Sequence, residues 1–423
     1  MRREPSQRQH ENEPVSAGWA LIALILSPLV LVAAEPKIAV VTTTYYHNSH
    51  ADVIAGRLLQ SYSLDGKGSF PKLKLVSMFT DQVPSNDLSR PLARKHGFRL
   101  SRQISDALTL GGKKLGVDGV LLIAEHGKYP ESVLGQFQFP KRRFFREIVE
   151  TFKRSKQVAP VFFDKHLSDN WRDAKWIYDT AKSMKIPMMA GSSLPVLWRY
   201  PPLDVKRGAK LKQIVAVSYH RLDSYGFHAL EMVQALAERR RGSETGVASV
   251  QCLTGKAVWA AGKRRVYDRK LLDATLSRLK QRPIPKGKRI EDLAKDPVLF
   301  VINYRDGLRT CVFTLNPAVA EWAVSWKNSD NQVRSTLFQT QELRPFDHFT
   351  YLLKPVEKMM HTRKPVWPVE RTLLTTGLLD ALLQSKHQGG KLLATPHLSI
   401  QYSTKWNWKQ PPPPVPGRPI NKQ

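Results

Sequence analysis

The chain has 423 residues, 42% apolar and 24% charged, with two cysteines and a formal net charge of +30. At about 100–200 residues per domain, this length excludes a single small module, and the apolar fraction excludes a disordered chain. The cysteine count excludes a disulfide-stapled scaffold: Cys252 and Cys311 read as free or buried thiols, with a single pairing of the two as the alternative, and no Cys/His cluster has zinc-ligand spacing, so no structural metal site is expected.

An uncharged stretch lies between Glu13 and Glu35, densest in apolar residues over Trp19–Leu26. Ser27-Pro28 breaks it, and Val32-Ala33-Ala34 offers small residues suited to cleavage after Ala34. This is the pattern of a secretory signal peptide, with an uncleaved membrane anchor as the alternative. The folded part is therefore expected to be exported, periplasmic or extracellular. Arg2, Arg3 and Arg8 balance Glu4, Glu11 and Glu13, so a mature chain keeps the whole charge.

The basic residues are scattered from Lys37 to Lys422. Runs at Lys141–Arg143, Glu238–Arg241 and Lys263–Arg265 read as solvated helix ends or turns, with no helix-turn-helix, RRM or zinc-finger pattern beside them. Specific nucleic-acid binding is not expected, only non-specific attraction to polyanions such as acidic glycans or membrane surfaces.

Lys37–Val41 reads as a buried strand, and Asn48 or Ser49 can cap a helix over 50–62, where Val53, Ile54, Leu58 and Leu59 recur at helical spacing. A strand over 74–79 ends at Asp81, and helices over 89–96 and 101–110 flank Gly97–Leu100. Then come a strand over 117–124, a helix over 141–153, a strand over 158–163, a helix over 171–184 and a strand over 186–190. This alternation predicts an α/β, Rossmann-like, doubly wound parallel sheet over residues 36–199. After Arg199-Tyr200-Pro201-Pro202, strand-like segments follow one another over 211–219, 247–254, 256–260, 298–304 and 309–315, interrupted by a helix over 227–241. They predict an α+β domain over 200–388 with a largely antiparallel sheet, closed by helices near 346–361 and 369–386. Residues 389–423 form a Pro-rich tail, expected to run extended along the surface.

A dinucleotide-binding sheet opens with a GxGxxG turn, whose glycines let backbone amides approach the pyrophosphate. Here the turn is Thr42–His50 and holds no glycine. Tyr45, Tyr46 and His47 take up space a pyrophosphate needs, while the helix N-terminus and the hydroxyls of Thr42, Thr43 and Thr44 offer an anion some donors; the alternative is that the threonines only cap the strand. Asp81 stands where an acidic residue would hold a ribose. With Glu125, next after the strand over 117–124, these are the candidate cofactor-binding residues. Asp164-Lys165-His166 follows the strand over 158–163 at the carboxyl edge, where Lys165 either polarises a hydroxyl or carbonyl or pairs with Asp164 at the surface. His228 and Glu231 share one helical face, and His228 suits a general base or a core position.

Taken together, these stretches resemble the glucose–fructose oxidoreductase, inositol dehydrogenase and MocA family. Lys37–Val41 with His50 is similar to that family's first strand and the His of its first helix, and Val117–Ala124 to its "vDaVlIatP" strand. Ala159–Ser168, with Ala174 and Ile186–Gly191, resembles "kPVlcEKPla…eA…vplmvG" and puts Lys165 on the catalytic lysine. Gly226–Glu231 resembles "DxGxHxxD" and puts His228 on the catalytic histidine, and Lys364–Leu374 looks like the family's approach to its last helix. The chain departs from the pattern in the missing glycines, in Asp164-Lys165-His166 for EKP, and in Ser224 for the first Asp, with Asp223 next to it.

The resemblance implies an oxidoreductase acting on a CH–OH group of a small sugar or polyol, with NAD(P) kept in a modified pocket or lost. Lys165 would orient the hydroxyl and His228 would take its proton, both converging on one cleft, with Asp164, His166, Asp223 and Glu231 as candidate substrate-binding residues. The alternative is a non-catalytic carbohydrate- or surface-binding protein on the same scaffold; a third reading is another chemistry built on Lys165, His166 and His228. A homo-oligomer is compatible with the pattern, and membrane contact is expected only through an uncleaved N-terminal segment.

Overall fold

The computed structural model describes residues 34–418. The signal or anchor expected over 1–34 lies, but for Ala34, outside the described residues, as does the end of the tail. Among the described residues, no helix is long and apolar enough to cross a membrane.

The first half alternates as its sequence pattern predicts. In chain order it runs β1 (Lys37–Thr42), α1 (His50–Ile54), α2 (Arg57–Gln60), β2 (Lys74–Thr80), α3 (Ser89–His96), β3 (Arg99–Ser101), α4 (Ile104–Thr109), β4 (Gly119–Ile123), α5 (Lys141–Ser155), β5 (Val161–Asp164), α6 (Trp171–Ser183) and β6 (Met188–Gly191). The six strands form one parallel sheet in the order β3-β2-β1-β4-β5-β6. The helix expected over 50–62 is two short ones, because α2 folds back so tightly that a Cβ at Gly56 would lie 2.1 Å from the Asp52 carbonyl oxygen. The stretch taken for a connector at 97–100 carries the edge strand β3 instead.

The second half contains β7 (Trp198–Tyr200), β8 (Leu211–Ser218), α7 (Phe227–Ala237), β9 (Val247–Thr254), α8 (Lys256–Lys263), α9 (Arg269–Leu276), α10 (Ile290–Leu293), β10 (Asp296–Tyr304), β11 (Arg309–Asn316), β12 (Trp322–Asn328), β13 (Val333–Gln339), α11 (His348–Thr362), α12 (Glu370–His387) and β14 (Leu393–Ala394). Its strands form one sheet in the order β14-β9-β10-β11-β8-β12-β13-β7, antiparallel except for β11 with β8. Residues 256–260 are helical, not a strand. Gly255, with φ of +57°, ends β9, and Val258 and Ala261 then bury one helical face.

Strand alternation divides the cores. Ile38, Val40, Leu121 and Ile123 face one side of the first sheet, and Ala39, Val41, Val120 and Leu122 face the other with α5 and α6. The first side is covered by Leu352, Leu353, Val356 and Met360 of α11, so this helix returns to the first sheet rather than closing the second. The long α12 sends Leu373 into the core beneath the first sheet and Leu374, Leu378 and Leu382 into the core of the second. The tail is strapped down. Trp408 Nε1 donates to the Leu197 carbonyl at 2.7 Å, and the Arg199 guanidinium lies 4.2 Å from the Trp408 ring centre.

Two of the three basic runs are solvated only in part. Lys141 is fully buried while Arg142 and Arg143 are partly so, and Glu238, Arg239 and Arg240 are buried after α7 while Arg241 is exposed; Lys263–Arg265 is exposed throughout. Glu238 accepts from Arg371 Nε at 2.9 Å and from the Tyr402 hydroxyl at 2.9 Å, which ties α7, α12 and the tail together. Removing one partner of such a buried ion pair costs about 3–5 kcal/mol, because the other charge is left uncompensated. Arg371→Ala is therefore expected to lower the unfolding free energy by that order, read from equilibrium denaturant unfolding.

Candidate active site

Because β1, β4 and β5 are parallel neighbours, the turns after all of them open at one carboxyl edge of the sheet. Glu125 follows β4, Lys165 follows β5, and Lys141 is the first residue of α5. Glu125 Oε1 lies 2.7 Å from Lys141 Nζ and Oε2 lies 3.1 Å from Lys165 Nζ, so one carboxylate bridges two ammonium groups. Lys141 Nζ also reaches His166 Nδ1 at 3.0 Å and the His166 carbonyl at 2.9 Å. Lys165 takes a left-handed backbone conformation, φ +62°, while its N–H bonds to the Gly191 carbonyl at 3.1 Å. A non-glycine residue held there by its surroundings is a mark of functional sites.

Electrostatics follow from this packing. Burial raises the Glu125 carboxyl, but Lys141 and Lys165 outweigh it and hold the group well below the usual carboxylate range. Burial lowers the Lys165 ammonium, yet Glu125, Asp164 and Asp223 together leave it above the ordinary lysine value. Lys165 is thus a fixed positive charge.

His228 lies in the first turn of α7, entered through a π-helical turn over Leu222–Gly226. Its Nδ1 is 2.6 Å from Ser192 Oγ, which also accepts from the Leu194 N–H at 3.0 Å. Ser192 is placed by Glu231, whose carboxylate accepts from the Ser192 N–H at 3.4 Å and from the Thr372 and Thr375 hydroxyls at 3.1 and 2.6 Å. The approach needs glycine at 191, where a Cβ would stand 2.6 Å from Glu231 Oε2. Burial first, then Lys165, pushes His228 well below the usual histidine value, so its imidazole is neutral.

Lys165 and His228 both line one cleft of about 550 Å³, between the first sheet's edge and the second sheet. Of the chain's 12 histidines, His50, His126, His166, His220, His228 and His348 line it, interleaved with Tyr46, Phe137, Tyr225, Trp322 and Phe349. Burial lowers His126, His166 and His348 to about 3, and the neighbouring cations add to it. Among the described residues, no group of three or more His, Cys, Asp or Glu could hold a metal ion.

Of the residues singled out from sequence, Glu125, Lys165, His166, Asp223 and His228 line the cleft. Asp164 stands behind it, with Oδ2 2.5 Å from His50 Nδ1. Glu231 is not among the lining residues; it is buried and positions Ser192 rather than meeting a substrate. Thr42 and Thr43 are buried, with hydroxyls spent on the Ile123 and Glu125 carbonyls at 2.8 and 2.7 Å, and the buried Thr44 hydroxyl does not reach the cleft. Sequence reasoning missed Lys141 and Ser192. Lys141 carried one usable signal, a cation at the first position of a helix, where the dipole disfavours it.

No protein-family model and no curated protein matches the chain. Solved structures do match it in fold. The gentamicin A biosynthesis protein GenD2 in complex with NAD is 11% identical, with 85% of this chain and 96% of that chain covered and a TM-score of 0.55. Myo-inositol 2-dehydrogenase from Lactobacillus plantarum is 12% identical over 86% of this chain and 99% of its own, with a TM-score of 0.52. The scyllo-inositol dehydrogenase from Lactobacillus casei is 10% identical over 85% and 98%, also at 0.52. The chain therefore has the two-domain dehydrogenase fold, a Rossmann-like sheet followed by a largely antiparallel one.

The dinucleotide implied by the sequence resemblance does not fit the groove this fold offers. At the start of α1, the amide of Asp52 bonds Ser49 Oγ, that of Asn48 bonds Asp52 Oδ2 at 2.9 Å, and that of His50 bonds His126 Nδ1. Asp81 is held by the Tyr129 hydroxyl at 2.7 Å and by Arg143, one partner on each carboxylate oxygen.

The neutral histidines make stability depend on pH. His126, His166 and His348 bind a proton near 6.5 when unfolded but only near 3 when folded, so between these values the unfolded chain carries more protons and stability falls as pH falls. Each contributes about 1.4 kcal/mol per pH unit in that window. Thermal melts should show the decline below about pH 6.5, and His166→Gln should flatten it by one proton's worth.

Proposed function

We propose that this protein acts on a small sugar or polyol by proton transfer in the cleft, with Lys165 holding a substrate oxygen and His228 taking the proton. One observation carries the reading: a fixed ammonium and a neutral imidazole, contributed by the two sheets' separate elements, line the same aromatic cleft. A charge-assisted hydrogen bond from Lys165 fixes and polarises the oxygen, and a base near neutrality removes a proton without first having to lose one. Ser192 turns the imidazole so that its second nitrogen is the one left for substrate. Aromatic faces such as Trp322, which stacks on Tyr225 with ring centres 5.2 Å apart, suit the apolar faces of a sugar ring. The fold shared with inositol dehydrogenases supports the substrate class. Export belongs to the proposal and rests on residues 1–34; protein recovered from the cell envelope should begin close to Glu35.

The test is a panel of monosaccharides and polyols, myo-inositol included, screened by melting-temperature shift and by NMR for turnover. A bound compound should lose about tenfold in affinity in Trp322→Ala, the order expected for one aromatic contact. Lys165→Met and His228→Gln should keep the fold and abolish turnover. Unchanged turnover in both would overturn the assigned roles, and binding without any turnover in the native protein would make it a carbohydrate-binding protein.

A further inference from the structure

We infer that the chain fills its own dinucleotide groove and that the chemistry of the cleft is therefore redox-neutral: removal of a carbon-bound proton next to a carbonyl of the sugar. This rests on the preceding reading of the cleft as a sugar site.

The filling comes from two segments remote in sequence. Arg344 Nη1 crosses onto the start of α1, 2.7 Å from Asp52 Oδ2 and 2.9 Å from Asn48 Oδ1. The buried carboxylate of Asp52 and this guanidinium place a fixed ion pair where a glycine turn would leave room for a pyrophosphate. The crossing segment is held in return by fully buried Arg57, whose Nη2 donates to the Pro345 and Phe346 carbonyls at 2.6 and 2.7 Å. The second segment is the turn after β4. Thr43 Oγ1 donates to the Glu125 carbonyl at 2.7 Å, Gln82 exchanges hydrogen bonds with the Lys128 backbone at 2.9 and 2.8 Å, and the Tyr129 hydroxyl caps Asp81. Together these contacts roof the ends of β2, β1 and β4, the crevice in which this class of sheet takes its nucleotide. Apart from the exposed Gln82–Lys128 bonds, the clamps use buried or part-buried polar groups that would lose their partners if the roof opened.

The open cleft holds Lys165 and His228 and reaches Asn48, His50 and Val53 at the start of α1, so the roof closes the stretch over the ends of β2 and β1 beyond it. In the cleft the C–H electron pair can move to form a C=C bond while the carbonyl π pair moves onto oxygen. His228 takes the proton, and the Lys165 ammonium, which keeps its own, stabilises the enolate. Return of that proton to the former carbonyl carbon, while the hydroxyl hydrogen on the neighbouring carbon passes to the enolate oxygen, completes an isomerisation; protonation of the same carbon on its opposite face by water, with His228 giving its proton back to solvent, completes an epimerisation. No oxidant enters the balance.

The test uses the full-length native protein. Small molecules released on denaturation should contain no dinucleotide, and NAD+, NADH, NADP+ and NADPH at about 1 mM should leave the melting temperature and tryptophan fluorescence unchanged. In deuterium oxide, without nucleotide, a keto or aldehydo sugar that shifts the melting temperature (D-fructose, D-glucose and dihydroxyacetone as probes) should lose the NMR signal of the proton next to its carbonyl. His228→Gln should slow that exchange by at least about a hundredfold, the usual contribution of a general base. A stoichiometric dinucleotide, or saturable binding of any of those nucleotides, overturns the proposal. So does a probe that binds without exchanging faster than in His228→Gln. Failure of the sugar panel alone, with the nucleotide titrations blank, overturns the sugar reading and leaves the filled groove standing.

Discussion

Glu125 is the charge on which the site depends. Two lysines, one fully buried and one nearly so, share its two oxygens, and for both it is the main charge that offsets the cost of burial. The bridge ties the end of β4 to the start of α5 and the end of β5, and it holds Lys165 against a backbone conformation that lysine rarely adopts. Burial first, and then these positive charges, push His166 and His228 down, since each would have to gain a proton in a buried space already holding cations.

The second constraint is the joint between the sheets. Glu231 reaches back from α7 to the turn after β6, where Gly191 clears the space and Ser192 passes the positioning on to His228. Helix α12 supplies the threonines that complete the Glu231 environment and shares its apolar face between the two cores. The base is therefore placed by the packing of both halves, and the fixed cation by the first half alone.

At the ends of β2, β1 and β4, side chains and a crossing segment meet: Arg344 pairs with Asp52 at the start of α1, and the turn after β4 bonds back to Thr43, Asp81 and Gln82. A fold does not determine a reaction, and it is these contacts, with Lys165 and His228 on one cleft, that the proposed redox-neutral chemistry is built on.

Much of this was legible in the chain. Near-continuous apolar runs such as Val120–Ile123, each followed by a helical pattern, read as strands buried on both faces, so the parallel sheet follows from their alternation with helices. The absence of glycine from Thr42–His50 announced the altered turn, and the positions of Lys165 and His228 followed from strand-end and helix-start placement together with a family resemblance. What stayed hidden depends on partners distant in sequence. Lys141 and Arg240 read as solvated because local sequence shows a charge but not the carboxylate that makes its burial tolerable, Glu125 for one and Glu244 for the other. Residues 256–260 carry apolar side chains that suit either a strand or a helix, and the turn at Gly255 decided between them. The return of α11 to the first sheet and the reach of Arg344 to Asp52 required the closed chain, because side chains almost three hundred residues apart meet there. Local sequence determines which segments bury themselves; only tertiary structure decides which buried charges find one another, and so where this protein keeps its chemistry.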